Sequence, residues 1–213
     1  MMAPSEHPIP LTGLYVILDP TVRRDRPLLS VLHAAAAAGV RIFQYRNKIG
    51  SMRDAYAEAK LLRAKAKELG VLFLVNDRCD LALALEADGV HLGEQDLPYQ
   101  HARHLLGRER YIGLSTHSAG QVEAADRLRP DYIGFGPIFP PASKRDHEPV
   151  VGIEGLRKIR PLTTLPVFAI GGIRVEHVRP LLDAGANGIA VISAVVGASD
   201  VKTAAAQFTA QML

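Results

Sequence analysis

The sequence predicts a single domain, residues 1–213, with the α/β fold of a (β/α)8 TIM barrel, and three observations support this. Eight short apolar runs are each followed by a helical pattern, and the runs are apolar almost throughout rather than at alternate positions. Continuous apolarity is typical of parallel strands that helices cover on both faces. The chain length also approaches that of known barrels. An open doubly wound sheet is the alternative, but no Gly-x-Gly-x-x-Gly follows the first run.

Each predicted strand is rich in valine, isoleucine, leucine or phenylalanine. Such side chains favour extended backbone, whereas glycine and proline tend to interrupt it. The eight predicted strands are Leu14–Leu18, Val40–Phe43, Val71–Val75, Gly89–Leu92, Tyr111–Leu114, Tyr132–Phe135, Pro166–Ile170 and Gly188–Ile192.

The clearest predicted helix is Met52–Leu69, in which apolar residues recur at steps of three and four and so lie on one face. Ser51 with Asp54 predicts its start, and Gly70 predicts its end. Similar patterns predict the remaining helices at Leu28–Ala38, Leu81–Glu86, Tyr99–Leu106, Ala119–Leu128, Ile153–Ile159, Val175–Ala184 and Val201–Gln211.

Composition narrows the class of protein. The 25 Lys and Arg residues only slightly exceed the 22 Asp and Glu residues and form no long run, which argues against a nucleic-acid partner. Cys79 is the only cysteine, so the sequence predicts an inert buried thiol and neither an intramolecular disulfide nor a cysteine-based zinc site. We expect residues 1–11 to form a flexible segment. No signal-peptide core or membrane-length apolar run is present, so we expect a cytoplasmic protein without a membrane partner. The sequence does not distinguish a monomer from a homo-oligomer.

Acidic residues follow two successive predicted strands. Asp77, preceded by Asn76, follows the third strand, and Asp96 lies beyond the fourth. Neighbouring parallel strands lie roughly 5 Å apart, so acids past their carboxyl ends can bind one hard cation such as Mg²⁺. By itself, Asp77 would also suit the N-cap of the helix that follows.

Cationic side chains follow the second predicted strand. Gln44, Arg46 and Lys48 occupy alternate positions, so in extended backbone they point the same way and offer a polar donor and two cations to an anion. By themselves, Arg46 and Lys48 would also suit a solvated loop. With the two acids, they predict a site for a metal-bound polyphosphate.

The other predicted strands also lead into polar or glycine-rich segments, at the end where barrels carry their chemistry. Ser115 and His117 follow the fifth strand, Gly171-Gly172 follows the seventh, and Ser193 follows the eighth. The last two loops of a barrel commonly bind phosphate through backbone N–H groups, which paired glycines allow to approach closely. The glycine pair would also suit a plain tight turn.

In this order, the segments resemble the thiamine-phosphate synthase family. The matching segments are Gln44–Lys48, Val75–Arg78, Gly89–Asp96, Gly113–His117, Gly136–Phe139 with Lys144, Ala169–Ile173 and Gly188–Ser193. Each is short, but the ordered set spans nearly the whole chain. The resemblance implies a transferase of thiamine biosynthesis. In its reaction, the nitrogen of a hydroxyethylthiazole phosphate displaces pyrophosphate from an aminopyrimidine methyl diphosphate.

The resemblance also implies roles for individual residues. Asp77 and Asp96 would bind Mg²⁺. The pyrimidine diphosphate would contact Gln44, Tyr45, Arg46, Asn47, Lys48, Asn76, Ser115 and Lys144, and Arg46, Lys48, Ser115 and Lys144 would also assist the reaction. The thiazole phosphate would contact Pro141, Ala142, Ser143, Gly172, Ile192 and Ser193. A departing diphosphate accumulates negative charge that cations and fixed donors stabilise, so no protein nucleophile is needed.

One segment departs from the family pattern. The family's Thr-x-Thr-Lys reads Pro141-Ala142-Ser143-Lys144 here, and Pro141 offers neither a hydroxyl nor a backbone N–H to a phosphate.

Two alternative functions remain on the same barrel. One is a tautomerase that moves a proton of the thiazole phosphate with His117 as the base, although His117 also suits a role in orienting its loop. The other is a barrel that binds thiamine precursors without turnover. The complete set of metal and diphosphate residues favours the synthase.

Overall fold

The barrel of eight parallel strands is confirmed. The structure, a computed structural model, describes residues 9–140 and 148–212. Each strand pairs with the next, and the first pairs with the last, so the barrel is closed. The strands are β1 (Gly13–Leu18), β2 (Ile42–Tyr45), β3 (Leu72–Asn76), β4 (Gly89–Leu92), β5 (Tyr111–Thr116), β6 (Tyr132–Phe135), β7 (Val167–Ile170) and β8 (Gly188–Val191).

Helices follow the strands and cover the outside of the barrel. They are α1 (Leu28–Ala36), α2 (Met52–Leu69), α3 (Cys79–Ala84), α4 (Tyr99–Leu106), α5 (Ala119–Leu128), α6 (Gly152–Ile159), α7 (Val178–Asp183), α8 (Ser193–Val196) and α9 (Val201–Ala210). The predicted capping of α2 is confirmed, because the Ser51 side chain accepts the N–H of Asp54 and Gly70 closes the helix in the left-handed conformation.

The second strand lies two residues later than predicted, at Ile42–Tyr45 rather than Val40–Phe43. Gln44 is therefore a strand residue that points into the barrel, and Tyr45 points outward to the helices. The sequence prediction places Gln44 directly after the end of this strand. A polar residue is stable at this position because Tyr15 inside the barrel accepts its hydrogen bond.

The bounds of α1, α6 and α9 differ from the predicted ones by one or two residues at one end, and two other helices differ further. α3 begins at Cys79 rather than Leu81. The predicted helix Val175–Ala184 is divided into a 3-10 turn, Val175–His177, and the shorter helix α7. Pro180 has no N–H to donate to the carbonyl four residues earlier, which disfavours a continuous α-helix there. The short helix α8 was not predicted.

The apolar core has two layers. One layer lies between the strands and the helices, and the other fills the barrel interior around Tyr15, Tyr132 and Phe168. These three rings meet edge to face, with centroids 5.4 to 6.0 Å apart. The interior is therefore packed below the carboxyl ends of the strands, which confines any ligand to the upper mouth of the barrel. Cys79 is buried, as predicted.

A polar arrangement recurs three times at the amino-terminal end of the barrel. In each case, two hydrogen bonds join the residue just before an even-numbered strand to one residue of the preceding odd-numbered strand. The first residue donates its backbone N–H to the carbonyl oxygen of the strand residue. Its side-chain oxygen accepts the backbone N–H of the same strand residue. An arginine from the helical segment before the odd strand binds the same side chain. The three sets, which we call the lower clamps, are Asp88 with Phe73 and Arg63, Asp131 with Ile112 and Arg103, and Asn187 with Val167 and Arg160.

Within the described residues, no helix combines the length and the apolarity needed to cross a membrane.

Candidate active site

Two cavities open at the carboxyl ends of the strands. The first, of about 260 Å³, lies beside the loops after β2 and β3 and is lined by five residues predicted for the diphosphate and metal: Tyr45, Asn47, Lys48, Asn76 and Asp77. The second, of about 250 Å³, lies at the loops after β7 and β8 and is lined by three predicted for the thiazole phosphate: Gly172, Ile192 and Ser193. These eight residues are divided between the two cavities in the predicted grouping, whereas Gln44, Arg46, Asp96 and Ser115 line neither.

Asp77 and Asp96 lie together, as predicted. Asp77 has a φ of 62°, and its N–H donates to the carbonyl of His91 across the β3–β4 pair. Asp96 accepts the N–H of Gly93 at 2.7 Å. Burial, followed by the hydrogen bond with Asp77, raises the pKa of Asp96. When one of two adjacent carboxyl groups is ionised, ionisation of the other is disfavoured. A cation bound between Asp77 and Asp96 would relieve this repulsion.

The donor set suits Mg²⁺ in particular. In the part of the chain that the structure describes, no three His, Cys, Asp or Glu side chains gather where they could hold a metal. A cation at Asp77 and Asp96 would therefore complete its shell with water and substrate oxygens. Mg²⁺ characteristically binds through one or two carboxylates together with water and phosphate.

Asp77 does not cap the helix that follows β3. The residue at the N-cap of α3 is Arg78 rather than Asp77, and no side chain caps that helix. The Asp77 carboxylate instead forms an ion pair with Lys48. Arg46 likewise forms an ion pair, with Asp19, so neither cation is a solvated loop residue without a partner.

Asp19 is a site residue that the sequence analysis missed. It follows β1 directly, its side chain is almost fully buried, and it accepts hydrogen bonds from both the N–H and the hydroxyl of Thr21 at 2.9 and 2.6 Å. These bonds fix the carboxylate that holds Arg46. Its position after a strand is the same signal that identified Asp77 and Asp96.

The side chains of Tyr45 and Asn47 bind each other and the outer layer. The Tyr45 hydroxyl donates to Glu58 of α2 at 2.7 Å and accepts from Asn47 at 3.0 Å. The Asn47 carbonyl oxygen accepts the N–H of Ile49 at 2.9 Å. Burial is the main cause that raises the pKa of Tyr45. These contacts give the loop that carries Lys48 a defined shape.

Gln44 and Ser115 are joined by a continuous series of hydrogen bonds through the barrel interior, which we call the polar chain. Its successive distances are 2.6 Å from Gln44 to Tyr15, 3.0 Å from Tyr15 to Tyr132, 3.1 Å from Tyr132 to His91 and 3.0 Å from His91 to Ser115. Burial raises the pKa of both tyrosines and lowers the pKa of His91 to about 4. All three side chains are therefore neutral near pH 7.

The second cavity depends on the glycine pair after β7. Gly171 and Gly172 have φ angles of 99° and 60°, and a Cβ atom on Gly172 would lie 2.7 Å from the carbonyl oxygen of Pro140. Only glycine fits this turn, which brings backbone close to the cavity. The predicted thiazole phosphate residues Pro141, Ala142 and Ser143, and the predicted cation Lys144, lie outside the described residues.

His117 contacts the neighbouring loop. Its Nδ1 lies 2.5 Å from the carbonyl oxygen of Gly136, to which it donates, and its backbone N–H donates to the side chain of Gln121 at 2.6 Å. The residue therefore ties the loop after β5 to the loop after β6. This contact supports the loop-orienting role over the role of a catalytic base.

Arg174 is a second residue that the sequence analysis did not identify. It lines the second cavity, and its side chain lies 4.0 Å from Glu176 in an exposed ion pair. The signal was a cation two positions after Gly172, in a loop already predicted to bind phosphate.

Comparisons with known proteins agree with the barrel fold and with the family resemblance. A family model described as thiamine monophosphate synthase matches residues 14–195. A thiamine-phosphate synthase of Chloroflexus aurantiacus is 44% identical over 92% of this chain and 91% of its own, and one of Syntrophomonas wolfei is 41% identical over 89% and 91%. A solved thiamine phosphate pyrophosphorylase from Pyrococcus furiosus is 38% identical, with a TM-score of 0.85 over 94% of this chain and 95% of that one. The chain therefore belongs to the thiamine monophosphate synthase family.

Proposed function

We propose that the protein catalyses the synthesis of thiamine phosphate from an aminopyrimidine methyl diphosphate and a hydroxyethylthiazole phosphate. The thiazole nitrogen forms a bond to the pyrimidine methylene carbon while the bond from that carbon to the diphosphate oxygen breaks and pyrophosphate leaves. The observation that carries the proposal is the pair of cavities at one barrel mouth. The first is lined by Lys48 and by Asp77, which meets Asp96, and the second is lined by a glycine turn.

The first cavity suits the diphosphate. Asp77 and Asp96 would hold Mg²⁺, which would neutralise charge on the diphosphate oxygens. Lys48 already lies against Asp77, and Arg46 is oriented by the buried Asp19. Both cations are therefore available at defined positions before substrate binds, which is the arrangement that stabilises a departing anion most effectively. Asn76 lines the same cavity.

The remaining predicted residues complete the two substrate sites. Gln44 and Ser115 would bind the pyrimidine diphosphate from inside the barrel, and Lys144 would add a third cation from the loop after β6. In the second cavity, Gly172, Ile192 and Ser193 would bind the phosphate of the thiazole through backbone N–H groups and the serine hydroxyl.

The decisive experiment measures pyrophosphate release with both substrates, with each substrate alone, and with and without Mg²⁺. We expect release only when both substrates and Mg²⁺ are present. Conversion of one thiazole phosphate tautomer into the other without pyrophosphate release would identify the tautomerase instead. Binding of both compounds without turnover would identify a binding protein.

The metal assignment makes a specific prediction. Asp77→Asn and Asp96→Asn should each lower turnover by about a hundredfold or more, since a bound cation supplies several kcal/mol of charge stabilisation. Their unfolding midpoints in urea should stay near that of the original protein. Asp80→Asn is the matched control, because Asp80 is an exposed acid close to Asp77 that pairs with Arg78. Near-normal activity of either site variant at limiting Mg²⁺ would refute the assignment.

A further inference from the structure

The polar chain crosses the barrel and ends at two residues of the proposed substrate site. Tyr15 on β1, Tyr132 on β6 and His91 on β4 are its interior members, and Gln44 on β2 and Ser115 on β5 are its ends. Tyr15 and Tyr132 are almost fully buried, and His91 is part-buried, among apolar side chains of the interior core. Burial of a polar group costs free energy of folding unless the group is hydrogen-bonded. The presence of three polar side chains in this interior therefore calls for a functional explanation.

Two glycines make room for the chain. A Cβ atom on Gly113 would lie 2.1 Å from the Tyr132 ring, and one on Gly134 would lie 3.2 Å from the His91 ring. Gly113 lies in β5 and Gly134 in β6, where an interior glycine normally weakens a strand. The two glycines therefore make space for the rings, although glycine lowers the β-strand propensity of β5 and β6.

The orientation of the Gln44 amide assigns a direction to the chain. Gln44 directs its amide nitrogen, a donor, at the Tyr15 hydroxyl, which leaves the hydrogen of Tyr15 free to be donated to Tyr132. In this direction, Tyr132 donates to Nδ1 of His91, which is then the unprotonated nitrogen of the ring. The proton of the neutral imidazole then resides on Nε2 and is donated to the oxygen of Ser115.

We propose that Tyr15, Tyr132 and His91 are positioning residues that fix which atoms Gln44 and Ser115 present to the pyrimidine diphosphate. With its nitrogen held by Tyr15, Gln44 presents its carbonyl oxygen, which accepts from the exocyclic amine of the aminopyrimidine. With its oxygen already accepting from His91, Ser115 directs its hydrogen at an anionic oxygen of the diphosphate. The substrate named in this inference rests on the proposed function. The direction of the hydrogen bonds in the polar chain is independent of that function.

The direction can be tested without substrate. In protein labelled with ¹⁵N at histidine, we expect the ring resonances of His91 near neutral pH to show a protonated Nε2 and an unprotonated Nδ1. The resonances are assigned by their loss in His91→Gln. Protonation on Nδ1 would overturn the proposal, whether or not the protein proves to be a synthase.

The positioning role can be tested with Tyr132→Phe, which removes only the hydroxyl in the middle of the chain. We expect kcat to fall about tenfold, as for loss of a buried hydrogen bond, while KM for the thiazole phosphate changes less than about twofold. In the Ser115→Ala background, where the final acceptor is missing, Tyr132→Phe should lower kcat by less than about threefold. Tyr111→Phe is the matched control, because Tyr111 packs against the same interior cluster at the opposite end of β5, and its kcat should change less than about twofold.

Three results would overturn the positioning role: an unchanged kcat for Tyr132→Phe, a tenfold loss that persists in the Ser115→Ala background, or an equal loss for Tyr111→Phe. Absence of any synthase activity in the unmodified protein would instead refute the proposed function and leave the histidine measurement to decide the direction of the chain.

Discussion

At the scale of the residue, Asp77 combines a backbone and a charge requirement. Its φ of 62° is unusual for a residue with a side chain, and Asp and Asn tolerate it better than most. This conformation accompanies a carboxylate that meets both Lys48 and Asp96 above the end of β3. Asparagine can adopt the same backbone without the charge. The Asp77→Asn variant therefore separates the electrostatic role of this residue from its structural role.

His91 predicts a pH dependence of stability. Its pKa in the folded protein is about 4, below the value of 6.5 for an unperturbed histidine, because burial disfavours the charged ring. The unfolded chain therefore takes up the proton first, and the contribution of His91 to stability is complete above pH 6.5 and is lost as the pH falls toward 4.

From about pH 8 to about pH 5, this loss amounts to about 2 kcal/mol. Urea unfolding of the original protein and of His91→Gln across this range measures it. The variant should lose less free energy of unfolding on acidification, whatever its stability at pH 8. Parallel curves for the two proteins would show that His91 is already charged in the fold.

At the scale of the element, the lower clamps join strands at the end of the barrel away from the site. Each clamp satisfies a strand N–H that would otherwise lack an acceptor, and each fixes an arginine of the preceding helical segment against the strand pair. In barrels, polar contacts at this face serve stability, whereas those at the opposite face serve chemistry.

Asp88→Ala should therefore destabilise the protein without changing its activity. Removal of the carboxylate leaves the N–H of Phe73 and the two terminal nitrogens of Arg63 without this acceptor, at a cost of about 1 to 3 kcal/mol in the free energy of unfolding. Glu154→Ala, which breaks the exposed pair with Arg157, should change it by about 0.5 kcal/mol or less. Unfolding in urea measures both, and a fall in kcat of folded Asp88→Ala would contradict the separation of the two faces.

The sequence predicted the order and type of the strands because each is a continuous apolar run, and it predicted Asp77 and Asp96 because each follows such a run. It did not predict that Gln44 lies inside a strand, because the acceptor that makes this possible comes from β1. Nor could it predict the contact between Tyr15 and Tyr132, which are 117 positions apart and meet only when the barrel closes. Local patterns determine elements, whereas hydrogen bonds across the interior depend on register.

At the scale of the whole molecule, the two cavities lie on different sides of the barrel mouth. The first is formed by loops after β2 and β3, and the second by loops after β7 and β8. Each proposed substrate anion thus has its own set of loops, while the reacting atoms must meet between them. Residues deep in one cavity should therefore affect one substrate much more than the other.

Lys48→Ala and Ser193→Ala test this division. Lys48→Ala should raise KM for the pyrimidine diphosphate by about tenfold, the lower end expected for a charge-assisted contact because Lys48 is half exposed. Ser193→Ala should raise KM for the thiazole phosphate by a similar factor. Each variant should leave KM for the other substrate within about twofold. Equal effects on both substrates would mean that the two subsites have been assigned wrongly.

The lower clamps also bear on how this chain can change over evolutionary time. Each clamp closes within one module of a helical segment, an odd-numbered strand and the even-numbered strand after it. The joints between modules are the loops after the even-numbered strands, two of which carry Lys48 and Asp96. Mutations at the joints leave every clamp intact, so the barrel can explore new loop sequences, such as the proline at position 141, without losing its framework.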